Sequence, residues 1–189
     1  MKTLTDIEKL REIALDQHGF VTTAQAEDVG VSRPALSYLS KHDRIERVDR
    51  GIYRIPQVVV TENDRFQQAL LWAGKDAYLS HDTALAAWDI CDINPVKIHV
   101  VVPKERRVNK SGHDEIVLHK GAQLSQRLKW WDGMPIAAAY DAISQSLDNG
   151  VSSHVIEQAI ENGHLRGLIN KAQQEDLQRR LESRDGFNG

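Results

Sequence analysis

Residues 31–56 read VSRPALSYLSKHDRIERVDRGIYRIP. Ser32 is placed to cap a helix, and Pro34 suits its first turn, where no intrahelical donor is needed. The helix runs to about residue 42. On a wheel of about 100° per residue, Leu36 and Leu39 form an apolar face and Ser37 and Lys41 lie opposite, flanked by Arg33, Pro34 and Tyr38. After His42 the period changes from helical to extended. Residues 45–48 and 52–55 have strand character, and Asp49, Arg50 and Gly51 between them suit a hairpin turn in which Gly51 takes positive φ. A helix with one exposed polar and mildly basic stripe, followed by an arginine-bearing hairpin, is the pattern of a recognition helix and its wing.

The flanking residues extend that pattern. Thr5 and Glu8 have capping-box spacing, Ile7, Leu10, Ile13 and Ala14 follow at helical spacing, and Gly19 ends the helix. Residues 20–22 read as a short extended link. Thr23 is placed to cap a second helix, which Gly30 ends. Helix, short helix, helix and hairpin is the order of a winged helix-turn-helix, closed by Pro56. The predicted DNA-contacting set is Thr23, Ser32, Arg33, Ser37, Tyr38, Lys41, Arg47, Arg50 and Arg54. Arg33 has the reach and geometry for a guanine edge, Ser37 or Tyr38 for base or phosphate, and Arg50 sits at the wing tip.

Composition sets the bounds. The 189 residues suffice for two small domains, and a formal net charge of −3 excludes a polycationic chain, so a nucleic-acid surface must come from local segregation of charge. The single cysteine, Cys91, excludes an intramolecular disulfide and a cysteine-rich zinc site. No apolar run approaches the roughly 20 residues that span a bilayer, and the N-terminus has no apolar signal core. A cytoplasmic protein without membrane contact is expected.

A second domain is predicted from residue 59 to 189, after a first from 1 to 58. It begins with a helix near residues 62–73, and Ser80 is placed to cap another. Residues 97–103 form a nearly continuous apolar run, read as a buried strand. A basic loop at residues 104–111 and a strand at 114–119 follow. Trp130, Trp131, Asp132 and Gly133 suggest a strand and turn, and helices fill most of residues 137–184. The fold class expected is α+β, a winged helix-turn-helix followed by a mixed α/β domain that ends in a helical segment.

The stretch GFVTTAQAEDVGVSRPALSYLSKHDRIERVDRGIYRIP resembles the N-terminal domain of the AbiEi antitoxin family. The second half, through YLSHDTALAAWDI, PVKIHVVVPKERR, GMPIAAAYDAISQSL and AIENGHLRGLIN, is similar to that family in motif order. The resemblance implies an antitoxin and transcriptional regulator of a type IV toxin–antitoxin pair linked to abortive phage infection. Its partners would be double-stranded DNA of its own promoter, bound at repeats by the winged helix, and a cognate nucleotidyltransferase-like toxin, met directly or functionally by the second domain. The family often carries Thr and Arg ahead of the Asp of the helix that here reads Ala137, Ala138, Ala139, Tyr140, Asp141. No role of that arginine transfers to this chain.

The residues do not call for an enzyme. Ser80, His81 and Asp82 are consecutive on a cap and first turn, where side chains are expected to point apart and not to form a relay. His99, His113 and His119 lack helical metal-ligand spacing, so no metal or cofactor is expected. Lys97 precedes a strand without the acidic pair of a nuclease, there is no glycine-rich phosphate loop, and Cys91 lies in an apolar patch. Trp130 and Trp131 could stack on bases but suit a core and its rim. Arg106, Arg107 and Lys110, with Lys104 and Lys120 nearby, form a second basic surface whose partner is open between DNA phosphate, tRNA, an acidic toxin surface and water alone. The rival readings of the whole chain are a winged-helix protein-interaction module without an operator and a nucleic-acid-processing enzyme.

Overall fold

The computed structural model describes residues 4–106, 112–121 and 128–186. Among these are eight helices and two sheets, a mixed α/β architecture. The chain separates into two compact units, Met1–Gly74 and Lys75–Gly189.

The first unit begins with α1 (Asp6–Leu15), entered through the predicted capping box of Thr5 and Glu8. The link at residues 20–22 is a strand, β1 (Phe20–Thr22), because Val21 and Phe20 bury their side chains while the backbone pairs with a later strand. α2 (Thr23–Asp28) is capped by Thr22, not by Thr23 as expected. The Thr22 hydroxyl accepts from the Gln25 amide and Gln25 Oε1 accepts from the Thr22 amide. α3 (Arg33–Lys41) is capped by Ser32, whose hydroxyl accepts from the Ala35 amide. β2 (Glu46–Asp49) and β3 (Ile52–Arg54) form the hairpin, and the sheet order is β1-β3-β2 with all pairs antiparallel. Leu10, Ala14, Val21, Ala26, Val31, Leu36, Ile45 and Ile55 make one buried core, with Leu39 and Tyr53 packed on its edge. The wheel therefore has the right phase: Leu36 faces inward, Ser37 and Lys41 outward.

α4 (Asp64–Ala73) completes this unit. The compact division falls after α4, whereas the sequence reading divided the chain between residues 58 and 59. The physical reason is an ion pair that the sequence does not show: Arg54 Nη1 donates to Asp64 Oδ2 at 2.7 Å and ties the last strand of the wing to the first turn of α4.

The second unit holds β4 (Tyr78–Leu79), α5 (His81–Trp88), β5 (Ile98–Pro103), β6 (Ile116–Gly121), β7 (Lys129–Trp131) and β8 (Met134–Ile136), followed by α6 (Ala139–Asp148), α7 (Ser153–Leu165) and α8 (Lys171–Gly186). The strand order is β6-β5-β4-β8-β7. β5 is buried along nearly its whole length, as its apolar run demands, and is flanked by parallel β6 and antiparallel β4. The turn between β7 and β8 has Asp132 at φ 48° and Gly133 at φ 76°, the paired positive angles that a tight two-residue hairpin requires. Two arginines fasten α8. Arg180 pairs with Asp148 at 2.8 Å and donates to Ser144 Oγ, and Arg184 donates to the carbonyls of Leu147 and Val151.

Candidate nucleic-acid interface

α3 presents its predicted stripe to solvent. Arg33, Pro34, Ser37, Tyr38 and Lys41 are all exposed, and Tyr38 is 62% accessible although it is a large aromatic side chain. The Tyr38 ring lies against that of His42, tilted by 34° with centroids 4.1 Å apart, and His42 Nδ1 pairs with the Tyr38 carbonyl, so the aromatic face is held one turn from the end of the helix. Between Arg33 and Arg54 six cations (Arg33, Lys41, Arg44, Arg47, Arg50, Arg54) outnumber three anions (Asp43, Glu46, Asp49), against the negative charge of the whole chain. A groove lined by Glu27, Gly30, Val31, Ser32, Arg33 and Pro34 opens at the start of α3, where the backbone amides of a helix N-terminus favour an anion.

Arg33 is not idle. Its Nε donates to Glu27 Oε1 at 2.8 Å, and that carboxylate raises the affinity of the guanidinium for its proton. The pair is superficial, with Arg33 74% and Glu27 43% accessible, so it holds the arginine at the mouth of the groove without burying it. Arg47 and Arg50 are exposed on the wing, with Arg47 Nε donating to the Asp49 carbonyl across a register shift in β2. Gly51 has φ 76°, and a Cβ there would stand 3.3 Å from Thr23 Oγ1.

Two predicted contacts are placed elsewhere by the structure. Thr23 is half-buried and its amide donates to the Gly51 carbonyl at 2.9 Å, so it anchors the wing to α2. Arg54 is largely enclosed. It bonds Asp64 and the carbonyls of His18 and Val58, and its guanidinium lies 5.3 Å from the Phe20 ring centroid. Both Nη atoms of that guanidinium are committed inside the unit and the side chain is only 12% accessible, unlike the open arginines of α3 and the wing. Of the second basic surface, Arg106 donates to the Lys75 carbonyl at 2.7 Å, and Lys104 is exposed. Arg107 and Lys110 lie outside the described residues.

The sequence reading missed a different group of side chains altogether. His81 at the start of α5, His99 on β5 and His119 on β6 come together, with one ligand-capable atom of each within 4.8 Å of the others. Ser80 makes no cap bond to α5. Its buried hydroxyl instead pairs with His81 Nδ1 at 2.9 Å, so these two neighbours do not point apart as expected. Burial, then the neighbouring His119 and His99, pushes the His81 imidazole down to about 3. No local pattern pointed to this, because only the β5–β6 register brings His99 and His119 to one face. Cys91 behaves as the apolar patch implied: burial and the nearby Asp82 push its thiol up to about 11, away from nucleophilic use.

The α1–α3 and hairpin segment now has a counterpart among known proteins. Residues 8–56 match the AbiEi_4 family, "Transcriptional regulator, AbiEi antitoxin". The matched segment thus runs from the first turn of α1 to Pro56, two residues beyond β3. No curated protein matches the chain. Among solved structures, the RV2827C protein from Mycobacterium tuberculosis is similar over 95% of this chain and 82% of its own, at 13% identity and a TM-score of 0.43. Among the described residues, no helix is long and apolar enough to cross a membrane.

Proposed function

We propose that the protein is the antitoxin of a bacterial toxin–antitoxin pair, that it represses its own operon through the winged helix, and that the second unit neutralises a nucleotidyltransferase-like toxin. The reading rests on one observation: the AbiEi-type segment coincides with a winged helix whose third helix leaves Arg33, Ser37, Tyr38 and Lys41 unburied. In this proposal α3 enters the major groove of promoter DNA in the cytoplasm. Arg33 leaves Glu27 and pairs with the N7 and O6 edge of a guanine, an exchange that sacrifices only a surface ion pair. Ser37, Tyr38 and Lys41 meet bases or phosphates along the same face, Ser32 and the first amides of α3 approach a phosphate, and Arg47 and Arg50 bring the wing to the minor groove or the backbone. No catalytic group takes part.

The test has two arms on the full-length chain. Gel shifts on the DNA upstream of its own gene should show specific binding that weakens steeply with salt, because each neutralised phosphate releases counterions. Co-expression with the product of the adjacent reading frame should restore growth that this product alone arrests. Salt-independent binding, or none at low salt, removes the repressor role. A neighbour that is harmless, or is not relieved, removes the antitoxin role.

A further inference from the structure

We propose that His81, His99 and His119 form a binding site for a zinc-type divalent transition-metal ion in the second unit, with Asp82 supplying the counter-charge. The three imidazoles arrive from three elements. β5 and β6 run parallel with His99 opposite Val117 and Val101 opposite His119, so His99 and His119 are diagonal neighbours on one face of the sheet. His81 reaches the same point from the first residue of α5, where it holds φ 48°, a backbone region that non-glycine residues seldom occupy. His119 Nε2 lies 3.1 Å from His99 Nδ1. Two nitrogens on one tetrahedral ion, each about 2.0–2.1 Å from it, stand ~3.3 Å apart. The His81 ring is stacked on His119 at 3.7 Å between centroids, so binding turns one of these rings until its nitrogen converges with the other two.

The surroundings fit a cation better than they fit a neutral cluster. The Asp82 Oδ1 atom is buried and has no hydrogen-bond partner among the described residues, and the Asp82 charge acts on both His99 and His119. A buried anionic oxygen without a donor is costly, and a bound cation would relieve it. The shell behind the imidazoles is also built. Ser80 Oγ pairs with His81 Nδ1, which leaves Nε2 of that ring for the ion, and Thr83 Oγ1 accepts from the His99 amide at 2.8 Å. His119 is only half-buried, which gives an ion a way in. Imidazole donors select zinc, nickel, cobalt or copper over magnesium and calcium. Such an ion would clamp the start of α5 to two adjacent strands.

The experiment uses the untagged full-length chain, stripped with a chelator and titrated calorimetrically with Zn²⁺, with Co²⁺ as the spectroscopic probe. One ion per chain is expected, with visible Co²⁺ absorption of the intense tetrahedral kind and a Zn²⁺-dependent rise in melting temperature. His119→Ala, the most accessible of the three, should weaken binding beyond the roughly 100-fold that loss of an outer-shell partner reaches, and Ser80→Ala by about 10-fold. His113→Ala, whose ring pairs with Glu115 at 2.8 Å, should bind as the parent does. Circular dichroism confirms that each variant is folded, and His119→Gln replaces His119→Ala if the alanine variant is not. Absence of stoichiometric Zn²⁺ binding overturns the proposal, as does binding that is unchanged in a folded His119 variant.

Discussion

The exposed face of α3 and the histidine pocket of the second unit are built on opposite terms. α3 and its wing hold charged side chains in water, where Arg33 keeps a loose surface partner and can exchange it. The pocket gathers three imidazoles, those of His81 and His99 buried, beside a carboxylate oxygen that has no hydrogen-bond partner among the described residues. The first arrangement is local: its residues lie within one helix and one hairpin. The second depends on strand register and on a helix start far away in the chain. Local sites declare themselves through periodicity and caps, whereas assembled sites declare themselves only through topology.

Arg54 breaks the simple form of that comparison, because it sits in the basic stretch yet behaves like a buried group. The sharpest test separates these roles. Arg54→Met should destabilise the first unit by about 3 kcal/mol, the low end for stripping one partner from a buried ion pair, because Asp64 keeps its hydrogen bonds from Thr61 but loses the guanidinium. Denaturant melts of the full chain measure it. At a temperature where the variant stays folded, its DNA affinity should match the parent. A stability unchanged within about 0.5 kcal/mol, together with lost DNA binding, would return Arg54 to the interface.

Arg33→Ala is the converse. It should leave the melt almost unchanged, because an exposed ion pair contributes at most about 1 kcal/mol. It should weaken promoter binding by about 2 kcal/mol and relax preference at one base position, if the arginine reads a guanine. Competition gel shifts with operator variants read both effects. Uniform loss across all sequences would assign Arg33 to phosphate instead.

The fates of these two arginines show how far the sequence could be read. Ser32, Leu36, Ser37 and Lys41 were placed correctly because helix phase fixes them, and the hairpin because Gly51 can take the positive φ its turn needs. The buried run of β5 was legible from its apolar residues alone. β1 was legible only as an extended link, because its partner β3 lies some thirty residues on, and β4 was missed because two residues carry no alternation. Thr22 and Thr23 are adjacent threonines, and only the reciprocal bond to Gln25 decides which one caps α2. The enclosure of Arg54 was not legible because its partner Asp64 stands in a segment that reads as the start of the next domain. The histidines were dismissed for lacking helical ligand spacing, a criterion that does not apply to ligands on adjacent strands.

Gly51 sharpens the boundary between contact and support within the winged helix itself. Gly51→Ala would put a Cβ on a residue at φ 76° and 3.3 Å from Thr23 Oγ1. A left-handed alanine costs about 1–2 kcal/mol, so the melt should fall by about that much, and the wing should lose its fixed distance from α2. DNA affinity should drop less than in Arg33→Ala, because Arg50 remains on the chain although its placement loosens. If the variant melts as the parent does, the turn has relaxed to another conformation and the wing is not anchored through Thr23.

The smallest effect has the opposite sign. Glu27 lies on the face proposed to meet DNA, where a carboxylate repels phosphate, yet it also holds Arg33 through Nε at 2.8 Å. Glu27→Gln keeps the shape and a hydrogen-bond acceptor but removes the charge. Stability should change by no more than about 0.5 kcal/mol, because the pair is solvent-screened. DNA affinity should rise, by a few-fold at low salt, since the arginine no longer has to leave an anion and one repulsive charge is gone. The gain should shrink as salt rises, because exposed charges are screened beyond a Debye length of about 10 Å at 0.1 M. The double variant Glu27→Gln/Arg33→Ala tells how the gain arises. If Glu27 acts by restraining Arg33, the gain disappears without the arginine. If it acts by repelling phosphate, the gain persists on the Arg33→Ala background. A fall in affinity for the single variant would mean that Glu27 positions Arg33 for the base, making the ion pair a part of recognition and not a competitor to it.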